Sequence, residues 1–378
     1  MFIERKTAMN PDCHQMVPTV KVVSSRCNLR CRYCYYHCRD QTKEELMDNE
    51  TLVNLTRKTV SYVTQKPIIF VWHGGEPLLA GREFYEDILR AQDQYGGGKE
   101  IENHVQTNLT LMDDDLAEFF FRHGFKVGTS IDGPQPVHDA NRIFPNGSGS
   151  FSQVMRGLTS LKNAGFTPST ISLITKASLG QEEEVFHFMK DLGLRSFLPK
   201  PCYEIDPETG EPTEFSINPQ EYADFMIKLF DLWIENNDPE FIVRNLGQIM
   251  IALVGGTPSL CEHSGKCWLF PTVGHNGSVG TCDSFPMGKY LYGNINHNSW
   301  EELFSSEGFS RFISDLDENK RRCGNCEWFN LCNGGCLRYS YSAETEEWSL
   351  NIFCEAKKQI FAHMKKVITR MEEAEAGA

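Results

Sequence analysis

The sequence predicts an α/β fold: a partial barrel of six strand–helix units, then a cysteine-rich domain closed by a helix. Three observations carry this reading. Apolar, β-branched runs alternate with stretches of helical period over the first 215 or so residues, the pattern of parallel strands joined by crossover helices. Three cysteines follow the first strand directly, in the kind of loop where such barrels carry their sites. Eight more crowd the last third, so eleven of the fourteen cysteines fall into two patterned groups.

The expected strands cover residues 19–23, 67–72, 100–106, 126–131, 170–175 and 196–200. Helical stretches lie between them at 49–64, 83–92, 113–122, 151–163 and 182–192. Residues 207–219, rich in Pro, Glu, Thr and Gly, read as a connector. Tyr222, Phe225, Met226, Leu229, Phe230 and Trp233 then recur at helical spacing on one face. A further apolar segment covers 242–254. The cysteine-rich region shows no long regular pattern, so metal is expected to stand in for a core there. A helix over 355–373 closes the chain. The expected division is 1–215 for the barrel, 216–258 for bridging helices and 259–378 for the cysteine-rich domain.

Composition narrows the function. Hydrophobic residues at 40% can fill a core, and a net charge of −14 argues against a nucleic-acid or anionic-membrane partner. No apolar run is long enough to span a membrane, and the first residues lack the apolar stretch of a secretory signal. Fourteen cysteines without export point to reduced thiols holding metal and to a cytoplasmic location.

The first group is Cys27, Cys31 and Cys34, spaced C-x3-C-x2-C. Three thiolates can hold a four-iron cluster and leave one iron open to another ligand. The group resembles the hallmark of the radical SAM superfamily, and the resemblance extends over nearly the whole chain. It implies that the open iron binds S-adenosylmethionine (SAM) and that reductive cleavage gives a 5′-deoxyadenosyl radical. The fold it implies is a partial (β/α)6 radical SAM barrel. Gly74, Gly75, Glu76 and Pro77 resemble that family's GGEP motif, whose backbone and carboxylate receive the amino group of SAM. Two glycines let backbone approach a ligand, and an anion pairs with an ammonium. By the same resemblance Tyr33 lies against the adenine. Ser130 and Arg142, in SIDGPQPVHDANR, meet the ribose and the carboxylate. Without the cysteine trio, GGEP would read as a plain turn.

The later cysteines run C-x5-C-x14-C, then, after forty residues, C-x2-C-x5-C-x3-C, with Cys354 seventeen residues further on. This resembles the SPASM extension of the superfamily. As in anaerobic sulfatase-maturating enzymes, Cys261, Cys267, Cys282 and Cys336 are expected to ligate one auxiliary cluster. Cys323, Cys326, Cys332 and Cys354 are expected to ligate the second. Three [4Fe-4S] clusters and SAM are therefore the expected cofactors. Read alone, Cys323-x2-Cys326 would suit zinc equally. Cys13, Cys38 and Cys202 lie outside both patterns and read as incidental thiols.

Asp283 directly follows Cys282. The resemblance makes it the acceptor of the proton from the substrate's hydroxyl or thiol, with the carbon side losing a hydrogen atom. The likeness also takes in Tyr36, placed near substrate and cofactor. Two positions depart from it: His73 stands where Gln is usual before GGEP, and Leu109 where Gly is usual after QTN. His before GGEP is frequent in maturases of ribosomal peptides. The expected function is therefore oxidation of Ser or Cys to formylglycine in a sulfatase. The alternatives are a peptide maturase forming carbon–carbon or thioether links and, from another class, a non-catalytic zinc protein. Too few residues precede the first strand for the leader-binding domain many maturases carry. The expected partners are a protein or peptide substrate and an electron donor such as ferredoxin or flavodoxin.

Overall fold

A computed structural model describes residues 11–36, 45–206, 208–285, 289–342, 345 and 347–376. Cys38, and Pro207 of the expected connector, lie outside them. The six expected strands are β1 (Thr19–Lys21), β2 (Ile68–His73), β3 (Ile101–Gln106), β4 (Lys126–Ser130), β5 (Ser169–Ile174) and β6 (Ser196–Pro201). They pair in chain order and all in parallel. Parallel neighbours need crossovers, and helices supply them: Asn49–Tyr62, Gly81–Tyr95, Asp114–Arg122, Phe151–Asn163 and Glu182–Asp191. Side chains start two of these helices where expected. Asp48 accepts from the Thr51 amide at 2.7 Å and Asp113 from that of Leu116 at 2.8 Å.

The sheet does not close, and it is longer than the sequence reading expects. Four short strands extend it: β7 (Ile242–Val243), β8 (Thr272–Val273), β9 (Ser278–Gly280) and β10 (Leu291–Asn294). The order is β10-β9-β8-β1-β2-β3-β4-β5-β6-β7. β8 joins β1 in parallel, with Thr19 opposite Thr272, and β9 and β10 turn back antiparallel. The cysteine-rich region is thus seamed onto the first barrel strand. Segments this short show no period in sequence. The segment at 242–254 likewise divides into β7 and a helix, Arg244–Leu253.

The expectation that metal replaces a core in the last third is corrected. A helix at Glu307–Arg321 places Phe309, Phe312, Ile313 and Leu316 inward, and Trp300 and Tyr290 are fully buried beside it. The barrel has its own apolar centre around Phe70, Trp72, Tyr85 and Phe120. One polar knot sits in it: Asn103 accepts from Trp72 at 2.9 Å and exchanges two 2.8 Å bonds with Gln92. The closing helix Cys354–Ala376 returns to the helix Pro219–Asn236. There His363 meets Asp231 at 2.6 Å, and Phe353, just before it, meets the Tyr222 ring edge-on. Among the described residues no helix is long and apolar enough to cross a membrane.

Candidate active site

The cysteine loop leaves β1 at once, because Ser24 takes a left-handed turn (φ 57°). Neighbouring loops then clamp its backbone. The amides of Gly75 and Glu76 donate to the carbonyls of Ser24 and Arg26 at 2.9 and 2.8 Å. On another side the amides of Arg30 and Arg32 donate to Ile143 and Asn141 at 2.7 and 2.9 Å. Gly75 is demanded by this contact: a Cβ there would lie 1.8 Å from the Arg26 oxygen. The GGEP segment therefore positions the loop that carries Cys27, Cys31 and Cys34.

Burial pushes the Cys27 thiol up to about 12, with Glu76 and the other two cysteines adding to it. It lifts Cys31 and Cys34 to about 11, partly offset by Arg142. Thiols so close and so reluctant to ionise need a positive centre among them, and iron supplies one. A second set has the same character. Cys267 is raised by burial and then by Cys261, Cys336 and Cys282. The third set, Cys323, Cys326, Cys332 and Cys354, lines a single pocket. The first of these two auxiliary sets draws on both ends of the cysteine-rich region, and the second only on its later part. Among the described residues no three His, Cys, Asp or Glu side chains converge tightly enough for a single metal ion. The donor chemistry suits clusters: three thiols in one place, four thiols in each of two others.

The residues that the sequence resemblance directs to SAM lie at and beyond the carboxyl ends of β2 and β4 and in the cysteine loop. Glu76 is wholly buried, and its carboxylate is already occupied. It accepts from Thr107 Oγ1 at 2.7 Å, from the Asn108 amide at 2.8 Å and from the Leu78 amide at 3.0 Å. Burial holds this carboxyl up at about 7 against those three bonds. The carboxylate thus ties the end of β2 to the end of β3, leaving backbone of this segment to face a ligand. Arg142 forms a two-bond pair with Asp132, at 3.0 and 3.2 Å, and its guanidinium stands 5.4 Å from the Tyr33 ring centre. The Tyr33 hydroxyl donates to the same Asp132. Ser130 ends β4 and accepts from Gln106 Nε2 at 3.2 Å. Cys202 is buried beyond β6, and Cys13 is buried before β1.

Asp283 is the centre of a part-buried polar cluster that sequence reading saw only in part. Its Oδ2 accepts from Lys21 Nζ at 2.5 Å, Tyr35 at 2.7 Å and Tyr36 at 3.0 Å. The Cys282 thiol lies 3.6 Å from the other oxygen, Oδ1. Lys21 Nζ also stands 3.2 Å from His73 Nδ1, since Lys21 and His73 are register partners on β1 and β2. Burial would lift the Asp283 carboxyl, but Lys21, His73 and the hydroxyl donors hold it well below the usual carboxylate range. Burial and the Lys21 charge push His73 down to about 4, so the ring is neutral. An ammonium can only donate, so Nδ1 of that neutral ring accepts from Lys21 and Nε2 carries the hydrogen. Beyond Tyr35, Arg338 lies 4.9 Å from the ring centre and pairs with Glu204. Lys21, Glu204 and Arg338 had no functional signal in the sequence, and Tyr35 and Asp132 lay in matching motifs without a role of their own. Lys21 was hidden inside an apolar strand.

Three grouped thiol sets on an open parallel barrel define an iron–sulfur enzyme class in which one cluster keeps a corner for a ligand. Residues 22–195 match the radical SAM superfamily, and residues 261–327 match the SPASM iron-sulfur cluster-binding domain. The chain is 30% identical over 351 residues to the cysteine-type anaerobic sulfatase-maturating enzyme of Clostridium perfringens, covering 91% of this chain and 95% of that one. It is 27% identical over 389 residues to the serine-type enzyme of Bacteroides thetaiotaomicron, covering 98% and 94%. The solved structure of native anSMEcpe with bound AdoMet and Cp18Cys peptide superposes with a TM-score of 0.85 at 28% identity, over 95% of this chain and 99% of that one. The chain belongs to the radical SAM superfamily, in the family of the anaerobic sulfatase-maturating enzymes.

Proposed function

We propose that this protein oxidises a cysteine or serine side chain of a sulfatase peptide to formylglycine. The observation that carries the reading is Asp283: a half-buried carboxylate beside a cluster cysteine, held by donors from β1 and from the loop of the first cysteine trio. Cys27, Cys31 and Cys34 would hold the open cluster, and the two sets of four the auxiliary ones. Backbone at Gly74, Gly75 and Glu76 would meet the amino group of SAM, Tyr33 the adenine, Ser130 the ribose and Arg142 the carboxylate. When bound, these groups supply a SAM-derived radical that takes one hydrogen atom from the side-chain carbon, and an acceptor for the electron left behind.

The proton is the chain's own task. Three donors occupy Asp283 Oδ2, so Oδ1 is the oxygen that takes the substrate proton. A carboxylate held so far down keeps that proton weakly and passes it on. Tyr36 and neutral His73 flank the carboxylate and border the place of the peptide, with Nε2 of His73 free to donate to a backbone carbonyl. Serine then yields the aldehyde directly. A cysteine yields a thioaldehyde, which water converts to the aldehyde with release of hydrogen sulfide.

The assay is anaerobic: reduced enzyme, SAM and sulfatase-motif peptides, with masses compared. The expected results are a serine peptide lighter by two hydrogens, or a cysteine peptide that has lost two hydrogens and exchanged its sulfur for oxygen. Either product should react with a hydrazine. Unchanged peptides with 5′-deoxyadenosine still released would overturn the substrate assignment and favour a maturase acting on another peptide. Ferredoxin or flavodoxin as electron donor, a cytoplasmic location and the absence of a nucleic-acid or membrane partner complete the proposal. They rest on the acidic balance and on the reduced cysteines.

A further inference from the structure

We propose that Lys357 donates its ammonium to the sulfur shell of the cluster held by Cys323, Cys326, Cys332 and Cys354, and thereby sets that cluster's reduction potential above the value it would otherwise have. The proposal rests on the reading that those four thiols ligate a cluster. Lys357 lies one turn into the closing helix, three residues beyond Cys354. It is only 6% exposed and lines the same cavity as the four cysteines. Its Nζ is buried without a hydrogen-bond partner among the described residues. The nearest counter-charge, Glu262 Oε2, is 4.0 Å away, too far for a hydrogen bond. A buried ammonium with open donors is costly unless an acceptor arrives. A cluster in this cavity brings sulfide and thiolate sulfurs, which are acceptors of that kind.

The surroundings make room for this lysine and occupy its neighbours elsewhere. A Cβ at Gly335 would lie 2.3 Å from Lys357 Nζ, so the turn between Cys332 and Cys336 is glycine where the ammonium passes. Asn351 spends its amide on the Cys336 carbonyl at 2.9 Å. Lys358 is bound to Glu355 at 2.7 Å on the exposed side. Lys320 donates to the Gly265 carbonyl at 2.9 Å. Lys357 is therefore the buried cation of this cavity with donors to spare. Positive charge and hydrogen bonds at the sulfurs favour the reduced cluster, which carries one more electron. Glu262 follows Cys261 of the other auxiliary set and pairs with both Lys200 and Lys357. Lys200 offsets the Glu262 charge beside Cys261.

The test uses the full chain, reconstituted anaerobically, with iron counted and each cluster signal followed by electron paramagnetic resonance during a redox titration. The unaltered protein should hold about twelve irons. A count near eight, with Cys323→Ala causing no loss, would overturn the ligand assignment itself. With three clusters present, Lys357→Met should move one signal to lower potential and leave the other two in place, and Lys357→Arg should restore most of the shift. Unchanged potentials in Lys357→Met overturn the proposal. If the Met variant does not assemble the cluster, Lys357→Gln provides the same comparison. Loss of the cluster from Met and Gln with retention in Arg supports a need for the charge. Loss from all three makes Lys357 a folding residue and overturns its tuning role.

Discussion

Lys21 and Asp283 are 262 positions apart in the chain and 2.5 Å apart in the fold. Their side chains are only 7% and 17% exposed, so both charges are largely shielded from water. Lys21→Met should therefore cost roughly 3 kcal/mol, the low end for a broken buried pair, because Asp283 loses its counter-charge and keeps only its tyrosine donors; denaturant midpoints of the apo chain measure this. Asp283→Ala should still cleave SAM but form product at least about 100-fold more slowly, as loss of a proton acceptor predicts. Equal product from that variant would remove Asp283 from the reaction. Glu76 gives a pH test. Its folded carboxyl is raised from 4.5 to about 7, so folding takes up a proton. The stability it contributes is complete below about 4.5 and is lost as pH rises through about 7. Glu76→Gln, neutral throughout, should flatten the change in urea midpoint over that window. Asp283 was legible beside Cys282, but its partners were not. Lys21 sits in a run of valines, and only strand register reveals that it opposes His73.

Single residues in the loops decide whether elements meet. Gly75 lies where the segment after β2 crosses the cysteine loop, and Gly75→Ala would drive a methyl into the Arg26 carbonyl. That displacement should release the open cluster alone, lowering iron from about twelve to about eight per chain. Unchanged iron with full SAM binding would show that the clamp is dispensable. The long elements were readable because helical and strand periods persist over them: Phe151–Asn163 has the bounds expected from sequence, and the other crossover helices shift by a few residues at their ends. The helix Glu307–Arg321 was overlooked although Phe309, Phe312, Ile313 and Leu316 repeat at i, i+3, i+4 and i+7. Dense cysteines nearby suggested metal in place of a core. The strands β7 to β10 were not readable, since two to four residues carry no period. Phe312, fully buried, supplies a check on the corrected core: Phe312→Ala should destabilise the chain by about 3–5 kcal/mol even without iron.

At the scale of the molecule, the seam between β1 and β8 does the decisive work. It brings the segment after Cys282 to the barrel strand that launches the first cysteine trio. One carboxylate thereby answers to both halves of the chain: Lys21 and the two tyrosines from one, Cys282 from the other. Hydrogen-atom removal and proton removal can then act on the same side chain from neighbouring positions. The cysteine pattern made the presence of clusters legible and left their interleaved grouping to the family resemblance, whereas the register that aligns the two halves is a property of the sheet. The most direct test follows one atom. A sulfatase-motif peptide carrying deuterium on the side-chain carbon of its cysteine or serine is incubated with reduced enzyme and SAM, and the 5′-deoxyadenosine is weighed. Deuterium in the deoxyadenosine, matched by aldehyde in the peptide, is the expected result. Aldehyde formed alongside unlabelled deoxyadenosine would contradict abstraction from that carbon.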